Sequence, residues 1–196
     1  MAIEDRRERE RAARRQLIMN TARAVAEAEG WGAVTTRRLS TEIEYSQPVL
    51  YKHFAGMDEI AEAVAVEGFG ELADALRTAR VNAATAEQAL TLIAHTYLDF
   101  ARDNPALYDA MFTRMTRLRF AVSDTPPPLL AGFAELRDAV AAVADARDHE
   151  RDIDTFAEVF WAALHGLTTL ARAERLRPGY DAERINLLVA QFSLAH

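Results

Sequence analysis

The chain is 196 residues long, contains no Cys and carries a formal net charge of −7. That length supports a sizeable core in one or two modest domains, while the missing Cys excludes a disulfide framework, a thiolate metal site and a thiol nucleophile. No apolar run is long enough to span a bilayer and the leading residues are charged, so a cytoplasmic protein without membrane contact is expected.

The charge is unevenly spread. Residues 1–56 hold ten Arg/Lys against eight Asp/Glu, a net of +2, and residues 57–196 hold thirteen against twenty-two, a net of −9. A mildly basic end on an acidic body suits a protein that presents one end to a polyanion. Lys52 is the only lysine.

The leading arm mixes Arg6, Arg7, Arg9, Arg11, Arg14 and Arg15 with Glu4, Asp5, Glu8 and Glu10. Glu10 and Arg14 stand at pairing distance on a helix. The arm reads either as a solvated helix start or as a limb that touches phosphates or the minor groove. Leu17 to Glu29 reads as the first full helix, with Leu17, Ile18, Thr21, Val25 and Ala28 as its inward stripe. Gly30-Trp31-Gly32 stops it, with Gly allowing an αL cap and Trp31 filling the core of a three-helix head.

Thr35 to Phe54 reads as two short helices about a tight turn. Thr35 or Thr36 caps the first, which turns Leu39 and Ile43 inward. Ser46 is placed to cap the second, and Pro48 fits its first turn, where a missing amide costs nothing. Leu50 and Phe54 pack inward, while Gln47, Tyr51, Lys52 and His53 stay outside. Gln suits a bidentate contact with adenine, and Tyr, Lys and His suit phosphates or base edges. A helix pair whose second member carries such a face is a helix-turn-helix.

Thr-Thr-Arg-x-Leu followed by Ser-Gln-Pro-x-Leu-Tyr-x-His-Phe closely resembles the DNA-binding segment of the tetracycline-repressor (TetR) family, from about Leu17 to about Val64. The resemblance implies an all-α homodimer with an N-terminal DNA-binding domain, residues 1–56, and a C-terminal ligand-binding and dimerisation domain, residues 57–196. It implies DNA contacts from Thr36, Arg37, Ser46, Gln47, Pro48, Tyr51, Lys52 and His53, and a phosphate near the amide of Met57. Three positions depart from the family pattern: Ser40 stands for Ala, Glu44 for Gly and Tyr45 for Val. Glu44 matters most, because such a turn favours positive φ. Either the turn is reshaped or Glu44 is strained.

Beyond the motif, amphipathic helices repeat, for about nine to ten in all. Gly56 to about Ala79 forms a long one with Ile60, Val64, Leu72 and Leu76 in register. Gly68 and Gly70 within it serve either a bend or close packing. Thr85 and Gln88 fit a capping box ahead of Leu90, Ile93, Ala94, Tyr97 and Ala101. Asn104-Pro105 breaks that helix, and Leu107, Met111 and Met115 follow. Ser123 to Pro128 reads as a loop. Leu129, Phe133, Leu136, Val140 and Val143 mark the next helix, and Ile153, Phe156, Phe160, Leu164 and Leu167 another. The latter is apolar on more than one face, as a central or shared helix is. Pro178-Gly179 precedes a last helix with Ile185, Leu188, Val189 and Phe192.

Two further sites are expected. Phe156, Leu164, Leu167, Ile185, Leu188 and Phe192 form a dimer interface from the last two helices. Tyr97, Phe100, Tyr108, Met111, Phe112, Met115, Phe133, Phe160, Trp161 and His165 supply either plain core or the lining of a pocket for a small lipophilic effector. His165 either orients that ligand or is a satisfied buried histidine. Trp161-Ala-Ala-Leu-His165-Gly166 resembles the Trp-His-Gly (WHG) signature of one C-terminal subgroup of the family.

Catalysis finds no support. His53, His95, His149, His165 and His196 show no metal-ligand spacing, and there is no phosphate loop or nucleophile elbow, so no metal, cofactor or enzyme activity is expected. The expected function is a homodimeric repressor that binds a palindromic DNA operator and is released by a small effector. The alternative is a helical dimeric small-molecule-binding protein that has lost operator recognition.

Overall fold

A computed structural model describes residues 2–114, 118–120, 122–144 and 152–194, which form nine α-helices and no strand. In chain order these are α1 (Ala2–Glu29), α2 (Thr36–Glu42), α3 (Gln47–Tyr51), α4 (Met57–Val81), α5 (Ala86–Asp103), α6 (Pro105–Tyr108), α7 (Pro127–Ala144), α8 (Ile153–Arg172) and α9 (Asp181–Leu194). A 3₁₀ turn, Trp31–Ala33, follows α1, and a π turn, Asp109–Thr113, follows α6.

Packing divides the chain into two compact units, one of residues 1–68 with 104–119 and one of residues 69–103 with 120–196. The first part of α4 packs with the helix-turn-helix, and the segment after Asn104 returns to it.

In the first unit α1 starts at Ala2, well before Leu17. Arg, Glu and Ala, all strong helix formers, fill this extension, and Arg6 pairs with Glu10 at 2.9 Å. That pair takes Glu10 away from Arg14. The inward stripe is Ile18, Ala22, Val25 and Ala26, whereas Leu17 is 41% exposed and Ala28 is exposed. Leu17 lies on the flank of a stripe centred on Ile18, which the apolar count alone did not resolve. Gly30 ends α1 at φ 82° and ψ 161°, a positive-φ conformation other than αL.

Trp31 does not plug a three-helix core. It is half-buried, and its Nε1 donates to the carbonyl oxygen of Ala106 at 2.7 Å. The Glu27 carboxylate accepts from the amides of Ala106, at 3.0 Å, and Leu107, at 2.9 Å. Arg23 donates to the Asn104 side chain at 3.0 Å. Carboxylate and indole thus anchor α6 against α1, satisfying amides that a helix start leaves unpaired. Gly68 lets α4 approach closely, since a Cβ there would lie 2.7 Å from Leu107 Cδ1 and 2.9 Å from Met111 Sδ.

In the second unit the expected stripes hold. Leu72 and Leu76 of α4, Leu90, Ile93, Ala94, Tyr97 and Ala101 of α5, and Leu129, Leu136, Val140 and Val143 of α7 are all buried. Thr85 accepts from the Gln88 amide at 3.1 Å, and Gln88 accepts from the Ala84 amide at 2.7 Å, close to the expected capping box. The proline loop is shorter than expected, because Pro127 and Pro128 form the first turn of α7, where proline fits. Buried Glu135 of α7 is held between Arg77, at 3.0 Å, and Arg80, at 2.8 Å, both from α4. Burying a carboxylate is costly unless it is paired and hydrogen-bonded in this way.

Candidate nucleic-acid interface

The reading head is set by two helix boundaries. Thr35 caps α2, its Oγ1 accepting from the Arg38 amide at 3.1 Å. At the other end of α2, Glu44 takes φ 56°, and the Tyr45 amide donates to the Ser40 carbonyl at 3.1 Å. This six-to-one bond past a left-handed residue is a Schellman ending. The turn keeps the shape a Gly would give it, with Glu44 bearing the strain. α8 ends the same way, with Glu174 at φ 54° and the Arg175 amide on the Leu170 carbonyl at 2.9 Å.

Ser46 occupies the N-cap position of α3 with extended backbone, but its side chain makes no cap bond. Pro48, in the first turn, has removed one of the amides it would have served. Leu39, Ile43, Leu50 and Phe54 are buried and hold the two helices together. Arg37, Ser46, Gln47, Pro48 and Lys52 are exposed, Tyr51 is 54% exposed, and Thr36, His53 and Met57 are half-buried. Gln47, Tyr51 and Lys52 thus face outward over about one turn of α3 and its end.

His53 differs from its neighbours. Its Nδ1 is buried without a hydrogen-bond partner, and its carbonyl oxygen accepts from Arg15 Nη1 at 2.6 Å. Arg15 also lies 3.9 Å above the Phe54 ring. Burial, then the positive charges of Arg11, Arg14, Arg15 and Lys52, push the His53 pKa below its ordinary value. A neutral imidazole is therefore set among four cations. At Met57 the surroundings are more acidic: Asp58 and Glu59 occupy the first turn of α4, and Glu59 accepts from the Ala55 amide at 2.6 Å.

The residues expected around an effector are drawn from both units. Trp161 Nε1 donates to the Tyr97 hydroxyl at 3.1 Å. The Phe133 ring lies 6.3 Å from Trp161, and Phe120 joins both, at 4.9 Å from Phe133 and 5.9 Å from Trp161. Phe120 escaped the sequence reading because it lies outside any helix and has no periodicity to mark it. Phe160 is fully buried, its ring 4.9 Å from that of Phe192. Tyr108, Met111 and Phe112 fall in the first unit, with the Tyr108 and Phe112 rings 4.6 Å apart. Phe100 and His165 are half-buried in the second unit, and burial lowers the His165 pKa. Met115 lies outside the described residues, as do His149 and His196.

The expected interface residues divide as well. Leu164, Ile185 and Phe192 are buried within the protomer, Phe192 packing on Phe156 at 4.5 Å. Phe156, Leu167 and Leu188 are half-buried. The outward apolar residues are Val159 and Leu170 of α8 and Leu187 of α9, at 54%, 41% and 63% exposure. Periodicity gave the apolar faces of each helix without saying which one its own neighbours cover.

Among the described residues no cluster of three or more His, Asp or Glu could hold a metal ion, and no helix is long and apolar enough to cross a membrane.

A helix-turn-helix with an outward polar recognition face, carried on an otherwise helical chain, defines the class of helical transcriptional regulators. Residues 18–64 match the model for bacterial regulatory proteins of the tetR family, and residues 90–191 match the tetracyclin repressor-like C-terminal domain. The chain belongs to the TetR family of DNA-binding transcriptional regulators. It is 28% identical to the HTH-type transcriptional regulator YobS of Bacillus subtilis (strain 168), over 81% of this chain and 79% of that protein. In fold it is similar to a protein from Rhodococcus sp. RHA1, with a TM-score of 0.77 and 23% identity over 92% of this chain and 93% of the other. It is also similar to FadR from Bacillus subtilis in complex with stearoyl-CoA, with a TM-score of 0.66 and 12% identity over 91% of this chain and 97% of the other.

Proposed function

We propose that the protein is a repressor that binds a palindromic operator as a homodimer and leaves it when a small lipophilic effector binds. The observation that carries the reading is the exposed set Arg37, Gln47, Tyr51 and Lys52 over buried Leu39, Leu50 and Phe54. Gln47 reads a base edge, while Arg37, Tyr51 and Lys52 hold phosphates. Two heads reach successive major grooves about 34–36 Å apart, or a multiple of that.

The second copy packs on the outer stripe of α8 and α9, where Val159, Leu170 and Leu187 are exposed in the protomer and Gly166 allows close approach. The effector is recognised by the Phe120, Phe133 and Trp161 rings, with the Tyr97 hydroxyl and His165 as polar handles. The Trp161-to-Gly166 run supports placing the C-terminal half in the WHG subgroup. FadR, bound to stearoyl-CoA, offers a precedent for an apolar ligand on this fold. Effector binding favours a dimer whose heads stand at another separation, and operator affinity falls by the difference in ligand affinity between the two states.

Selection of bound fragments from a random duplex pool, followed by titration of variants, tests the reading. Tyr51→Ala and Lys52→Ala weaken binding to the recovered duplex while the dimer persists in sedimentation. Gln47→Ala relaxes base preference more than it lowers affinity for random DNA. Recovery of no sequence by the wild-type protein refutes operator recognition.

A further inference from the structure

The N-terminal part of α1 is unusual for a globular helix. Residues 4–14 are all exposed, and the first buried side chain on α1 is Ile18. A helix that buries nothing gains no tertiary stabilisation, so its sequence is free to serve another end.

Its arginines fall into two sets. Arg6 is paired with Glu10, and Arg9 donates to the Asp5 carbonyl at 3.2 Å. Arg7, Arg11 and Arg14, spaced i, i+4 and i+7, make no ion pair or side-chain hydrogen bond among the described residues. Helical periodicity places these three on one face, the same face that further along carries buried Ile18, Ala22 and Val25. That face is turned toward the helix-turn-helix rather than away from it.

Arg15 fixes the register. Its bond to the His53 carbonyl and its stacking on Phe54 tie α1 to the end of α3. Arg11, one turn earlier, and Arg14 are then brought beside Lys52 and His53. From Arg7 to Arg14 the helix advances about 10 Å, the length of about three phosphate steps on one strand.

We propose that Arg7, Arg11 and Arg14, continuing from Lys52, form a clamp on the DNA backbone that holds phosphates flanking the sequence read by α3. The inference rests on the DNA-binding reading above. Unpaired, evenly spaced guanidinium groups bind a polyanion without reading bases, and the surface continues directly from the recognition helix. An acidic protein partner would not need this continuity.

The test uses the full-length protein and the duplex recovered by selection, prepared in two lengths. One ends at the outer edges of the half-sites and the other carries about one further helical turn, about 10 bp, on each side. Binding is titrated across a salt series. The wild-type protein binds the long duplex more tightly and with a steeper salt dependence. Arg7→Gln/Arg11→Gln/Arg14→Gln, in which Gln preserves helix propensity, loses this advantage and about 0.9 of log–log salt slope for each contact removed. It matches wild type on the short duplex, and the corresponding triple Lys variant restores most of the slope.

Equal affinity and slope for wild type and the Gln variant on the long duplex overturn the clamp, and so does an equal loss on both lengths. Tyr51→Ala losing binding while the arginine variant keeps it removes the clamp alone. A wild-type protein that selects no duplex removes the operator reading, and the clamp with it.

Discussion

The indole of Trp31 and the carbonyl oxygen of Ala106, 75 residues apart in sequence, are joined by a 2.7 Å hydrogen bond. With Glu27 accepting from two amides of the same segment, it makes α6 part of the DNA-binding unit although it lies in the middle of the C-terminal sequence. Trp31→Phe takes the indole donor from the buried Ala106 carbonyl, which keeps the Asp109 amide, and costs about 0.5–1.5 kcal/mol, whereas Glu27→Ala leaves two amides unpaired and costs about 1–3 kcal/mol. Because both hold one segment, their effects are not additive. Urea unfolding of the two single variants and the double gives the coupling.

Gly68 makes a second prediction about the same segment. Ala is the better helix former by about 1 kcal/mol, yet a Cβ at Gly68 would sit 2.7 Å from Leu107 Cδ1 and 2.9 Å from Leu107 Cγ. Overpacking costs about 1–3 kcal/mol, so Gly68→Ala is destabilising in thermal unfolding. Leu107→Ala in the same chain relieves the clash, and the double variant is more stable than the sum of the single changes allows. A neutral Gly68→Ala would mean that Leu107 and Met111 move aside freely.

Two departures from the family pattern carry measurable strain. Ser40 Oγ is buried without a partner and Glu44 holds φ 56°. Ser40→Ala removes an unsatisfied hydroxyl and Glu44→Gly relieves a left-handed residue, each stabilising by about 0.5–1.5 kcal/mol. Differential scanning calorimetry should show both melting points rising. DNA affinity should change little with Glu44→Gly, because the Schellman bond already sets the turn.

His53 and His165 both have pKa values lowered by folding. Between the folded value and about 6.5, the unfolded chain binds more protons than the native one, so stability decreases as pH falls through that window. Above about pH 7 neither residue contributes to the slope. His53→Gln/His165→Gln flattens the profile between pH 7 and 5.5, measured by urea midpoints. An unchanged slope would assign the acid sensitivity to other groups.

How much was legible in the sequence follows from which interactions are local. Thr35 capping α2, Pro48 opening α3, inward Leu39, Leu50 and Phe54, and the stripes of α4, α5 and α7 depend on helical period and on residue types within one or two turns. Ser46 shows the limit even there, since its position was readable and its missing cap bond was not. The arm is similar: its helix-forming residues were plain, but which arginines pair and which stay open depended on Arg6 reaching Glu10 first.

The sequence by itself determined that the chain is a string of amphipathic helices with a helix-turn-helix near its start, because spacing and capping are properties of neighbouring residues. Only the tertiary structure decided that residues 104–119 pack with the DNA-binding unit, that Trp31 reaches Ala106 and that Phe120 joins Phe133 and Trp161. It also decided that Leu164, Ile185 and Phe192 face inward while Val159 and Leu187 face out. A helix with two apolar faces offers both to burial, and the one that is covered depends on partners far away in sequence.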